Sequence, residues 1–187
     1  SYSANPGYFA ITTDNNGDLV HGGKVLIVGS VDSNNYITNY TNKAGHICKD
    51  FNTSTDTCND QYKVSDFYIL APGTTISTNN AGGTSTMTGT SMAAPIVTGS
   101  VAVISQMWPY MKGNNLVKLV MNTANKDLPN YNINIHGQGL LDLDEATKPQ
   151  GAIGITTTGR VDGATVGLNN TYYSTGTGNA FSLSGIE

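Results

Sequence analysis

The sequence predicts an α/β domain built on a parallel sheet, and three observations carry that expectation. Residues 24–31 (KVLIVGSV) form a short, β-branched and nearly continuous apolar run, the pattern of a strand covered on both faces. Residues 67–71 (FYILA) repeat the pattern and stop at Pro72-Gly73. From Ser91 to about Trp108 small and apolar residues dominate, with Val97, Val101, Ile104 and Met107 close to helical spacing.

The remaining elements follow in order. The first twenty-odd residues read as loop, punctuated by Pro6-Gly7 and Asn15-Asn16-Gly17-Asp18. Asp32-Ser33-Asn34-Asn35 breaks the first strand. Residues 41–63 are polar and read as a surface loop, and residues 74–88, rich in Thr, Asn and Gly, read as irregular. The helix after Ser91 is apolar nearly all round, which predicts a buried helix. Pro95 falls in its first turns, where a missing N–H costs little, and Pro109 ends it. Residues 115–125 predict an amphipathic helix with Leu116, Leu119 and Val120 on one side and Lys118 and Asn122 off it. Gly137-Gln138-Gly139 predicts a turn before an apolar segment, and residues 142–148 a short helix stopped by Pro149. Beyond Gly151 the composition shifts to Gly, Thr and Asn, so residues 1–149 are expected to form the domain and 150–187 a β-rich or linker tail.

Composition excludes several classes. The chain has 187 residues, 38% hydrophobic and 12% charged, with a formal net charge of -4. A nucleic-acid binder would carry a basic stripe. No Lys/Arg cluster suggests an anionic membrane, and no apolar run reaches the ~18 residues of a spanning helix. Ser1-Tyr2-Ser3-Ala4 lacks the basic start and apolar core of a signal peptide, which processing can remove. Cys48 and Cys58 sit in the polar loop. A short-loop disulfide, with its oxidising compartment, is the first reading and two unrelated thiols the other. A metal site is not expected: nine residues separate the cysteines and only His46 lies near in sequence.

Chemistry concentrates in Gly89-Thr90-Ser91-Met92-Ala93-Ala94-Pro95. A glycine-led approach places Ser91 at the start of a helix, where the hydroxyl is exposed and backbone N–H groups are at hand. That arrangement suits acyl transfer, above all peptide hydrolysis. A Gly-x-Ser-x-Gly elbow is excluded because Ala93 replaces the last glycine. Asp127 and His136 also lie too close together to complete that fold's triad. Ala94, not Lys, lies three residues after Ser91, against a β-lactamase.

Taken in order, the 25–31 strand followed by Asp32, Ala71-Pro72-Gly73, the 89–95 motif with its helix, the second helix and Gly137-Gln138-Gly139-Leu140-Leu141-Asp142 resemble the C-terminal half of a subtilisin-like serine protease, a subtilase. The resemblance covers roughly residues 20–148 and implies a doubly wound parallel-sheet fold. The run 137–149 (GQGLLDLDEATKP), Asn39-Tyr40-Thr41-Asn42 and a cysteine loop before the Ala-Pro-Gly turn resemble the Gram-negative autotransporter subgroup. That likeness implies a secreted or cell-surface passenger and an outer-membrane barrel in the precursor.

By the same resemblance Ser91 is the nucleophile, its backbone N–H helps hold the oxyanion, and Thr90 supports that site. Tyr40 and Met87 fall where the family lines the leaving-group side of the cleft. Asn5 stands at roughly the distance of the oxyanion asparagine, although Asn5-Pro6 also resembles the loop downstream of it. His21, His46 and His136 do not match the family's histidine motif and are expected to be loop or surface histidines; Asp14, Asp18, Asp32 and Asp142 do not match its aspartate. The expected partners are therefore an N-terminal segment of the same protease, carrying Asp and His, and protein or peptide substrates. The mechanism needs no cofactor. The family often binds structural calcium, but no site is readable here. The competing expectation is an inactive passenger that binds without cleaving.

Overall fold

A computed structural model describes residues 8–150. The chain divides into two units, Ser1–Leu143 and Asp144–Glu187. The expected Gly/Thr-rich tail lies outside the described residues, as does Asn5.

In the first unit the order is α1 (Tyr8–Ile11), β1 (Ile27–Val31), β2 (Phe51–Asn52), β3 (Thr57–Cys58), a 3-10 turn (Val64–Phe67), β4 (Tyr68–Pro72), β5 (Thr74–Thr78), β6 (Thr84–Thr88), α2 (Thr90–Met107), α3 (Gly113–Asn122) and α4 (Ile133–His136). A last helix, α5 (Leu143–Thr147), begins at the boundary between the units. Within the second unit Lys148 Nζ pairs with Asp144 Oδ2 at 2.8 Å and Glu145 Oε2 at 3.0 Å.

The predicted parallel sheet is present: β1 and β4 pair in parallel, from Ile27 opposite Tyr68 to Val31 opposite Pro72. Its apolar residues go where the sequence demanded, with Val31, Tyr68, Ile69, Leu70 and Ala71 all buried. The 137–141 segment adds to the other side of β4. Leu70 N–H donates to the Gly139 carbonyl and Leu141 N–H to the Leu70 carbonyl, each at 2.8 Å. Gly137 has φ +59°, and a Cβ there would collide with the Tyr68 carbonyl oxygen. The glycine turn is thus a close backbone approach as well as a left-handed residue. Two core clusters result. One joins Ala10, Ile11, Cys48, Phe67, Val117 and Met121; the other joins Val31, Ala44, Tyr68, Leu70 and Leu128.

Several local expectations are corrected. The N-terminal stretch is not all loop, since α1 buries Ala10 and Ile11 and Thr13 bridges Leu19. Residues 74–88 form an antiparallel hairpin, β5 with β6, in register from Thr74–Thr88 to Thr78–Thr84. Threonine supplies the β-branching there without the apolar alternation that marks a half-buried strand. Asn79 Oδ1 closes the turn by accepting from the N–H groups of Ala81 and Gly83, both at 3.0 Å.

The 41–63 loop is not wholly at the surface, because Thr41, Ala44 and Cys48 are buried. A Cys48–Cys58 disulfide, with Cα atoms 5.9 Å apart, pins the short β2–β3 pair onto the first core cluster.

Helix α2 buries one stripe, Ala93, Val97, Ser100 and Ile104, toward β1 and β4, rather than its whole circumference. Val103 and Met107 remain about half exposed. The small residues Ala93 and Ser100 let the helix lie close on the strands; among the described residues no element covers the opposite face. Pro95 is the sixth residue of α2, past the four amides that lack intrahelical acceptors, so it removes a donor from the Ser91 carbonyl.

Candidate active site

The C-terminal ends of β1 and β4 converge on one glycine. Gly73 N–H donates to the Val31 carbonyl at 3.0 Å, and its own carbonyl accepts from Gly89 N–H at 2.8 Å. The β5–β6 hairpin is therefore clasped at its base by the two glycines it separates. Gly89, with φ +155°, lies in a conformation that side chains rarely adopt and caps α2. The chain then turns into Thr90 and Ser91, the first two residues of the helix.

Ser91 is exposed. Its N–H belongs to the first turn, where helix geometry leaves amides without an intrahelical acceptor and the helix dipole is positive. Met92 N–H is tied back to the Gly89 carbonyl at 3.0 Å. An accessible hydroxyl beside aligned N–H donors, at the carboxyl end of a parallel sheet, can attack a carbonyl and stabilise the oxyanion that forms.

Two further sequence-derived positions flank this turn. Tyr40 is 45% exposed, and its hydroxyl lies 3.1 Å from the hydroxyl of Ser30, a fully buried residue at the end of β1. Met87 sits opposite Thr75 in the hairpin, two residues before Gly89. Ser30 escaped the sequence reading. A hydroxyl inside an otherwise apolar strand, in Val28-Gly29-Ser30-Val31, was the available signal.

The three histidines are engaged elsewhere. The His21 ring packs at a tilt on Phe9, with ring centroids 4.0 Å apart. His46 Nε2 contacts Asp56 Oδ1 at 2.9 Å. His136 is not a surface residue: it is 4% exposed, and its Nδ1 accepts from Asn132 N–H at 3.0 Å while its ring stacks on Tyr131. No sequence signal marks that burial, because a four-residue helix carries no periodicity to reveal a buried face. Burial, reinforced by the charge of Lys43, lowers the His136 pKa against the raising effect of the Asn132 backbone.

A pH dependence follows from that burial. The unfolded chain takes up the imidazole proton near pH 6.5, whereas the folded chain resists it to lower pH. This contribution to stability is complete above about pH 6.5 and is lost as pH falls below it, down to the lowered folded value. Urea midpoints measured from pH 7.5 to 5 should fall, and His136→Gln should flatten the fall. An equal pH slope in the variant would refute the assignment.

Burial likewise raises the Tyr68 and Tyr131 phenols. These hydroxyls donate to the Asn42 and Gly137 carbonyls, at 2.6 Å and 2.8 Å. Among the described residues no three His, Cys, Asp or Glu side chains converge on a metal-sized site, and no helix is long and apolar enough to cross a membrane.

The parallel sheet, with a serine turn and helix following its carboxyl end, is the α/β arrangement that the subtilase resemblance implies. The family model described as the subtilase family matches residues 5–147, and this chain belongs to that family. Among solved structures it resembles the self-cleaved protease domain of PatA, at 22% identity and a TM-score of 0.50, covering 66% of this chain and 40% of that one. It resembles the prenylagaramide maturation protease PagA at 23% identity and a TM-score of 0.50, over 66% of this chain and 41% of that one. These likenesses support the subtilase α/β fold. The chain spans about two fifths of the length of either structure. No curated protein matches it.

Proposed function

We propose that this chain is the nucleophile-bearing portion of a serine endopeptidase that cleaves protein or peptide substrates through an acyl-enzyme on Ser91. The observation that carries the reading is the exposed Ser91 at the first turn of α2, on a turn locked through Gly89 to Gly73. Ser91 Oγ attacks the scissile carbonyl and passes its proton to an imidazole. That proton leaves with the amine, and water then releases the acyl group. The Ser91 N–H, with Thr90 in support and Asn5 as the candidate asparagine, stabilises the oxyanion. Tyr40 and Met87 line the leaving-group side.

On this reading the Asp and His come from an N-terminal segment of the same protease, since none of His21, His46 and His136 matches the family's histidine motif. No cofactor takes part. The disulfide supports an oxidising, secreted setting. The 137–149 run supports a Gram-negative autotransporter passenger carried by an outer-membrane barrel. A fluorophosphonate should label the intact protein on Ser91 and leave the isolated 187-residue chain unlabelled. Absence of labelling on the intact protein would favour an inactive passenger that only binds.

A further inference from the structure

Ser30 is a polar residue where the sheet calls for an apolar one. It lies in β1 with no exposed surface, and its hydroxyl meets the Tyr40 hydroxyl at 3.1 Å. A buried hydroxyl without a partner is costly, so Ser30 and Tyr40 make sense as a pair. The turn that carries Tyr40 is stitched to the same residue. Ser30 N–H donates to Thr41 Oγ1 at 3.1 Å, and the Ser30 carbonyl accepts from Thr38 N–H at 3.0 Å and from Thr38 Oγ1 at 3.2 Å. Thr38 and Thr41 close the turn through their own hydroxyls, 2.9 Å apart.

This turn faces the serine loop. A Cβ on Gly73 would collide with the Ser30 hydroxyl and lie 2.9 Å from Tyr40 Oη. The Tyr40 tip therefore rests against the backbone of Gly73, whose carbonyl holds Gly89 two residues before Ser91. A half-exposed tyrosine free of its anchor would sample other rotamers.

We propose that Ser30 is a positioning residue: its buried hydroxyl fixes the Tyr40 ring against Gly73 as a rigid wall of the cleft, met by substrate residues that follow the scissile bond. The proposal rests on the reading of Ser91 as nucleophile and Tyr40 as leaving-group lining.

The test uses the intact protease and two substrate classes, peptides extending three residues past the scissile bond and esters that end at it. Ser30→Ala and Tyr40→Phe should each raise KM for the extended peptides about fivefold, the worth of one net hydrogen bond, and raise KM for the esters by clearly less. The double variant should be no worse than either single one. Equal shifts for both substrate classes, additive effects, or no shift would overturn the proposal. Tyr40→Phe keeps the ring and leaves Ser30 in place, so it decides the matter should Ser30→Ala fail to fold. If neither class shows Ser91-dependent turnover, the protease reading itself falls and takes this inference with it. Ser91-dependent turnover without the KM split overturns the inference alone.

Discussion

Ser91→Ala in the intact protein should lower kcat for peptide hydrolysis by about a million-fold, the scale of removing the nucleophile from a triad. Its stability should stay within about 0.5 kcal/mol of the parent, because an exposed side chain contributes little to the fold. The Ser91 side chain is exposed, and the turn that presents it is held by backbone bonds from Gly89 and Met92. Alanine leaves those bonds intact, so the loss reports chemistry and not structure. Kinetics with a peptide anilide, alongside thermal melts of both proteins, separates the two effects. Retention of more than about one part in a hundred of the activity would remove Ser91 from the nucleophile role, since a residual of that size exceeds what binding and the oxyanion site alone supply.

Gly137→Ala should damage the fold, costing about 3 kcal/mol. About 1 kcal/mol comes from forcing a side chain to positive φ and the rest from overpacking. The added Cβ would collide with the Tyr68 carbonyl and lie 2.6 Å from Tyr68 Cδ1. Tyr68 cannot retreat: it is 1% exposed and paired with Ile27, and its hydroxyl is bonded to the Asn42 carbonyl. Its own carbonyl also accepts from Gln138 N–H at 2.8 Å, so relief at position 137 breaks the neighbouring bond. Gly17→Ala is the control. Gly17 has φ +84° but open space around its Cβ position, so it isolates the backbone cost of about 1 kcal/mol. Urea denaturation of both variants checks the difference. Equal destabilisation would show that the approach to Tyr68 is soft.

How much of this was legible depended on which physical signal each element carried. β1, β4 and α3 declared themselves through long-range burial, which leaves apolar runs or a one-sided apolar face in the sequence. The start of α2 at Ser91 was legible because a glycine-led helix start with small residues behind it is a backbone requirement written in residue types. The β5–β6 hairpin was hidden because its threonines face solvent on both strands. α2 misled in the other direction: apolar composition says which faces can be buried, not which neighbour arrives to bury them. His136 and Ser30 were illegible for a shared reason. Each is a polar side chain satisfied by partners close in the fold, Asn132 for one and Tyr40 for the other. No spacing rule announces such a pairing.

The clasp between Gly73 and Gly89 closes residues 74–88 into a loop whose two ends meet at a 2.8 Å bond. The 79–83 turn lies at the far end of the hairpin from that bond and from the start of α2. The turn can therefore be lengthened or recoded while the Gly73–Gly89 clasp and the backbone that enters α2 keep their register. Variation in length and sequence can accumulate at that tip without moving Ser91.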